Sequence, residues 1–352
     1  MAHQPLSRRD LLQTAKALAT AAPLLGLAGC GRARPEGGAT RLAGKTMGTT
    51  YGVVVADLPV GVDRRALHAD LERVLERVDA QMSTYRADSE LSRFNDAPPG
   101  VWIEVSADTL AVTEAALEVA RLSAGAFDPT VGPLVDDWGF GPGPAVAPST
   151  AGGRAGGLLT RVGHGLVDTR RAPPALRKRH GEVRVDLSGI AKGFGLDRIA
   201  AHLEGIGVGR YLIEIGGELR VRGRAPHGRP WQVGIEQPEA GARAVRRVVR
   251  LDGGALATSG DYLDYFERDG RRYSHIIDPR SGRPVDHGLA SVSVVAETAM
   301  RADALATALM VLGPGAGLRL ALRENIAALF VVREGEGLDE LRTPAFEPYL
   351  EA

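Results

Sequence analysis

The stretch VRVDLSGIAKGFGLDRIAAHLEGIGVGRYLIEIGGELRVR, Val183 to Arg222, decides the fold class. Val183 to Leu187 alternates apolar with polar residues and reads as a strand, a glycine-containing turn follows, and Leu196 to Leu203 continues as a helix. Tyr211 to Ile215 and Glu218 to Arg222 then read as two strands joined at Gly216-Gly217, a dipeptide that accepts the positive φ of a tight hairpin turn. Two consecutive strands that pair with each other depart from regular βαβ alternation. Further short strands are expected at Thr49 to Ala56, Trp231 to Ile235, Arg246 to Leu251, Tyr273 to Ile277, Ser291 to Val295 and Ala328 to Val332. The spacing predicts helices over Asp63 to Met82, over Ser106 to Ser123 (capped by Ser106 or Asp108 and closed by Gly125), and over Ala302 to Leu312. Clustered strands with separate helices predict an α+β fold with mixed or antiparallel sheets.

At 352 residues and 44% hydrophobic content, the chain can fill a substantial core. Its 43 basic residues balance 43 acidic ones, so no global field draws it to nucleic acid, and any polyanion must be gripped locally. Aromatic residues make up only 5% of the chain, which argues against a base-stacking groove. Residues 139 to 181 are poor in large apolar side chains and read as a long surface excursion that can divide the domain near 140–180.

Cys30 is the only cysteine, so no intramolecular disulfide is possible. Residues 1–29 have the order of an export signal: Arg8-Arg9, a short apolar stretch, and Leu27-Ala28-Gly29 before the cysteine. The paired arginines resemble a twin-arginine signal, and Leu-Ala-Gly-Cys resembles a bacterial lipobox. On that resemblance Cys30 is the lipid attachment site, residues 30–44 are a flexible tether, and residues 45–352 are a domain held on the periplasmic side of a membrane.

Three clusters carry chemistry. Asp303 and Thr307 lie four residues apart on an expected helix, which places a carboxylate and a hydroxyl on one face. Both are hard oxygen donors of the kind Mg²⁺ prefers; the same pair would also suit a dipole-stabilising aspartate with a threonine bonding back to its own helix. Asp186-Leu187-Ser188-Gly189-Ile190-Ala191-Lys192-Gly193 combines small residues, a helix start and an ammonium, which suits a pyrophosphate, although it matches neither the P-loop nor the dinucleotide fingerprint. His275, near the end of an expected strand with Asp278 three residues on, could accept a proton from an attacking hydroxyl.

Together these segments resemble the FAD:protein FMN transferase (ApbE) family, in order over roughly residues 45 to 335. The matching runs include Met47-Gly48-Thr49, MSTYRADSELSRFN from Met82, GAFDPTVGPLVDDWGF from Gly125, DLSGIAKG from Asp186, YLIEIGGELRVRG from Tyr211, ATSGDY from Ala257, YSHIIDPRSGRPV from Tyr273 and ADALATALMVLG from Ala302. The resemblance implies a two-part, T-fold-related α+β architecture with FAD in a central cleft. It implies FAD contacts from Met47, Tyr85, Ala126, Phe127, Asp128, Asp186, Lys192 and Ile277, and Mg²⁺ held by the Gly189 carbonyl, Asp303 and Thr307. His275 would be the histidine implicated in transfer. Family members vary at the position of Lys192, and the excursion from Gly141 to His180 departs from the family pattern. The implied partners are exported or membrane redox proteins bearing an acceptor Thr or Ser, with AMP released. An FAD pyrophosphatase using water at the same site, and a surface lipoprotein that binds FAD without chemistry, remain the alternatives.

Overall fold

Period-2 patterning along the strands is resolved by a sheet with two covered faces. The structure is a computed structural model and describes residues 38–142, 155–238, 244–262, 264–268, 271–335 and 337–350. Eight strands form one antiparallel sheet: β1 (Thr40–Thr46), β2 (Thr49–Val55), β3 (Tyr211–Ile215), β4 (Glu218–Arg222), β5 (Gly253–Gly260), β6 (Leu289–Ala296), β7 (Ala327–Glu334) and β8 (Gly337–Arg342). Their spatial order is their chain order, so the sheet is a single meander with insertions between its strands. Tyr51, Val53 and Val55 of β2 join the core under the helices, while Val54 joins Trp231, Val233 and Phe346 on the opposite face. The alternation repeats in β7, where Ala328 and Phe330 face the helices and Ala327 and Leu329 face away.

Helices α1 (Arg64–Met82), α2 (Ala107–Leu122), α3 (Ser188–Gly205) and α4 (Ala299–Arg323) fill the larger core. Asp63 caps α1 by accepting from Ala66 N at 2.8 Å, and Ser106 rather than Asp108 caps α2 by accepting from Thr109 N at 3.2 Å. The other face is closed by a hairpin, Trp231–Glu236 with Val245–Leu251, and by the turn of 3₁₀ helix at Pro344–Tyr349. The α+β class holds, with an antiparallel large sheet. Helix α4 is long and apolar enough to cross a membrane, but it is packed between the sheet and α3.

Several expectations need correction. The tether expected over residues 30–44 loses Thr40 to Gly44 to β1, an edge strand in which Leu42 is the only buried residue, so its apolar alternation is too weak to recognise. The rest of that tether, the signal at 1–29 and Cys30 lie outside the described residues. Val183 to Leu187 forms no strand. The side-chain amide of Asn95 takes the place of a strand partner, donating to Val185 O at 2.9 Å and accepting from Val185 N at 2.7 Å. The glycine turn expected before Leu196 is the first half of α3, which starts at Ser188. Tyr273 to Ile277 is broken at His275: Arg271–Ser274 pairs with Tyr265–Arg268, and Ile277–Asp278 with Arg283–Pro284. Within the excursion at 139–181, Val167–Arg171 and Pro174–Lys178 form a hairpin that joins Ile103–Glu104. Charge pairing across that hairpin, from Arg177 and Arg179 to Asp168, replaces the apolar alternation that would have revealed it. Helix α4 runs past Leu312 to Arg323 through a kink at Gly313 (φ 73°) and Pro314.

Candidate active site

Glycines decide how α3 meets α4. A Cβ at Gly193 would fall 2.3 Å from Ala299 O and 2.7 Å from Met300 Cα, so only glycine allows the two backbones to approach this closely. Asp197, one turn further along α3, accepts from Ala299 N at 2.9 Å and from Met300 N at 3.0 Å, and so caps α4 from outside. The contact carries Asp303 onto α3. Its buried carboxylate accepts from Gly193 N at 3.0 Å and lies 3.9 Å from Lys192 Nζ.

Lys192 Nζ lies 3.2 Å from Glu218 Oε1, the first residue of β4 after the Gly216-Gly217 turn. Burial works to lower the Lys192 pKa, but Asp303, then Glu218, then Asp186 outweigh it, and the ammonium is held above the ordinary lysine value. Burial raises the Asp303 carboxyl, against the pull of Lys192 and the Gly193 N–H. Glu218 rises from 4.5 to about 7, through burial first and in spite of Lys192. Its Oε2 is buried without a hydrogen-bond partner. Two buried carboxylates therefore share one ammonium, a local surplus of negative charge that favours a further cation.

Gly189 and Thr307 meet one turn earlier along α3 and one turn later along α4. A Cβ at Gly189 would sit 3.3 Å from Thr307 Oγ1 and 3.2 Å from the Phe127 ring, and Ser259 Oγ at the end of β5 is 3.4 Å from Thr307 Oγ1. Within α3 the donor four residues after Gly189 is the Gly193 N–H, and Asp303 shares that donor, which leaves the Gly189 carbonyl with capacity to accept elsewhere. Among the described residues no group of three or more His, Cys, Asp or Glu could hold a metal ion. A cation here would rely on mixed oxygens from Asp303, Thr307 and the Gly189 carbonyl, with ligand phosphates and water completing the shell. This donor set fits Mg²⁺.

His275 lies in the segment between β5 and β6. Its backbone N–H and its Nδ1 both lie against Asp264 O, at 3.1 and 2.9 Å. A carbonyl only accepts, so Nδ1 carries the proton, and Nε2 of the neutral ring bears the lone pair. Phe140 packs edge-on to the imidazole with centroids 6.2 Å apart, and the Tyr85 hydroxyl reaches Phe140 O at 3.4 Å. Burial of that hydroxyl, then Asp186, Asp264 and Asp136, push its pKa above the ordinary tyrosine value, although the Tyr85 residue is 71% exposed. Asp186 helps to raise the pKa of both the Tyr85 hydroxyl and the Lys192 ammonium. Its Oδ1 accepts from Ser188 N at 2.8 Å, and its own N–H donates to Pro129 O at 2.7 Å.

The remaining expected residues differ in position. Met47 stands in the turn between β1 and β2 at φ 47°, and a Cβ at Gly195 of α3 would lie 3.1 Å from its Cε. Ala126 and Phe127 are buried in the main core. Asp128 uses its carboxylate internally, accepting from Thr130 N and Oγ1 at 2.8 and 2.6 Å and from His164 N at 2.7 Å. Ile277 is buried with Leu134 and Trp138 in a small cluster beneath the His275 segment. Glu218, Asp197 and Ser259 were not singled out from sequence as site residues. Glu218 did leave a signal, because it occupies an inward position of a strand where an apolar residue is ordinary.

The fold and site define a class: an α+β protein in which two helices bring hard oxygens together beside one ammonium, with an imidazole carried on the segment between β5 and β6. Residues 47–330 match the family model described as the ApbE family. A Vibrio cholerae protein named FAD:protein FMN transferase is 42% identical over 335 residues, 95% of this chain and 98% of its own. A Haemophilus influenzae protein of the same name is 41% identical over 332 residues, 93% of this chain and 95% of its own. The solved flavin transferase ApbE from Vibrio cholerae has a TM-score of 0.82 at 41% identity, covering 89% of this chain and 99% of that one. The apo form of Pseudomonas stutzeri flavinyl transferase ApbE gives 0.81 at 41% identity, covering 90% and 98%. The chain belongs to the ApbE family.

Proposed function

We propose that this chain is an FAD:protein FMN transferase that moves FMN from FAD onto a Thr or Ser hydroxyl of an acceptor protein and releases AMP. The names of its relatives support flavin transfer, and the observation that carries the chemistry is the contact of α3 with α4, which joins Lys192 to Asp303 and Gly189 to Thr307. The acceptor oxygen attacks the FMN-side phosphorus, the bond from that phosphorus to the bridging oxygen breaks, and AMP departs with that oxygen. Lys192 offers a fixed positive charge to the phosphate oxygens as the leaving group gains charge. His275 Nε2 takes the proton of the attacking hydroxyl, because Asp264 O fixes the other ring nitrogen as the donor. Tyr85 presents an open aromatic face at the rim for a flat ring. Mg²⁺, when bound by Asp303, Thr307 and the Gly189 carbonyl, supplies Lewis-acid neutralisation of the diphosphate.

The protein is incubated with FAD, Mg²⁺ and candidate exported redox proteins, and intact masses and free AMP are measured. The expected outcome is a one-FMN gain in one candidate with equimolar AMP, lost in His275→Ala. AMP released at the same rate without any acceptor would replace transfer by hydrolysis. We propose further that the enzyme is exported and anchored through lipid on Cys30, on the strength of the Leu-Ala-Gly-Cys tetrapeptide. The Cys30→Ser protein should then leave the membrane fraction on cell fractionation; persistence there would exclude the anchor.

A further inference from the structure

The segment carrying His275 is an excursion from the large sheet. It leaves at Asp261, directly after β5, and returns at Gly288, directly before β6. Among the described residues its strands pair only with one another, as Tyr265–Arg268 with Arg271–Ser274 and Ile277–Asp278 with Arg283–Pro284. Among the described residues no strand ladder fixes it to the sheet. Its far side is held by Trp138, whose indole N–H donates to Gly282 O at 2.9 Å and whose ring stacks on Tyr273 at 5.7 Å.

Both roots converge on one residue of β7. Arg333 Nη1 and Nη2 donate to Asp261 Oδ2 and Oδ1 at 2.7 and 2.6 Å, a two-pronged pair, and Arg333 N donates to Gly288 O at 2.7 Å. Asp261 N donates to Ala290 O at 3.1 Å, and Asp261 O accepts from Arg272 Nη2 at 2.9 Å. Close packing marks the same spot: a Cβ at Gly260 would lie 3.2 Å from Ala290 O, and one at Gly288 would lie 3.3 Å from Arg333 O. Two residues before Asp261 stands Ser259, whose hydroxyl meets Thr307. The end of β5 therefore touches both α4, through Ser259, and the His275 segment, through Asp261.

We propose that Arg333 is a positioning residue for the transfer reaction: its guanidinium grips the Asp261 root of the 261–288 excursion, beside the Gly288 root that the backbone N–H of the same residue meets, and so sets where His275 stands relative to Thr307 and Asp303. The proposal rests on the reading of His275 as proton acceptor. The Arg333 side chain touches no residue assigned to the site and acts only through Asp261. Its planar fork matters as well as its charge, since a lysine cannot donate to both carboxylate oxygens in that plane.

The test compares the full chain with Arg333→Met and Arg333→Lys, by hydrogen exchange and by transfer from FAD to a protein already shown by mass to accept FMN. Arg333→Met should raise exchange in the 264–278 peptides roughly tenfold while the α4 peptides of 299–312 stay at their original rate. It should lower kcat by about tenfold or more, because a misplacement of about 1 Å can cost about a hundredfold, while KM for FAD stays within about twofold. Arg333→Lys should recover only part of kcat. Unchanged exchange at 264–278, or an equal rise in α4, would overturn the positioning role. His275→Asn separates the two readings: if it transfers FMN at the original rate, the proton-acceptor reading fails, whereas the exchange result still decides whether Arg333 holds the segment.

Discussion

Gly193→Ala measures how much the site depends on the close approach of α3 and α4. A methyl group there would lie 2.3 Å from Ala299 O and 2.6 Å from its carbonyl carbon, all backbone atoms that cannot rotate away. Ordinary carbon contacts begin at roughly 3.5 Å, so the helices must separate by about 1 Å. Overfilling of this kind costs about 1–3 kcal/mol. Parting the helices also stretches the 3.0 Å bond from Gly193 N to Asp303, and hydrogen bonds to charged groups contribute about 1.5–3 kcal/mol. Alanine returns about 1 kcal/mol through its better helix propensity. The net expectation is a loss of about 3 kcal/mol, read from urea unfolding as a lower midpoint with an unchanged slope. Transfer activity at saturating FAD should fall further than stability suggests, because Lys192 and Asp303 move apart. A midpoint equal to that of the parent, or above it, refutes the close-packing account, since helix propensity alone would then decide the outcome.

Asp303→Asn keeps the size of the side chain and removes its charge; transfer should drop by about 10²-fold or more, with no recovery in a MgCl₂ titration. Full activity at the original Mg²⁺ concentration would remove Asp303 from the metal site. Glu218, raised from 4.5 to about 7, binds its proton more tightly in the folded protein than in the unfolded chain. Its contribution is therefore complete below about pH 4.5 and is lost as pH rises through about 7. In EDTA-treated protein, Glu218→Gln should accordingly show a smaller fall in Tm between pH 5 and pH 8 than the parent; an identical fall contradicts the assignment. Asn95→Ala strips both backbone groups of Val185 of their partners and should cost about 2–4 kcal/mol, measured by urea unfolding, if that amide replaces a missing strand.

The parts of the fold that were legible are those in which one local pattern suffices. The hairpin at 211–222 combines alternation with Gly-Gly, and α1 and α2 each combine helical spacing with an Asp or Ser cap. Strand β1 was illegible because an edge strand with one inward residue leaves almost no pattern. The run at 183–187 alternates like a strand but forms none, because its neighbour is a side chain from Asn95, which no window around Val185 contains.

The site residues Gly189, Lys192, Asp303 and Thr307 came from a resemblance and from hard-oxygen chemistry, not from any reading of how the helices meet. Glycines at 189, 193 and 195 each weaken an isolated helix by about 1 kcal/mol, so local propensity places a turn where α3 begins. The structure resolves that conflict through a distant partner. Gly193 admits the backbone of α4, Gly189 admits Thr307 and the Phe127 ring, and Gly195 admits the Met47 side chain. Two of the residues that spoil the helix signal, Gly189 and Gly193, bring the Thr307 hydroxyl and the Asp303 carboxylate against α3, beside the Lys192 ammonium. A helix rich in alanine at those positions would be easier to recognise in sequence, but it would hold Asp303 away from Lys192 and leave the proposed phosphate site unmade. Local rules fail here for the reason that the chemistry is possible.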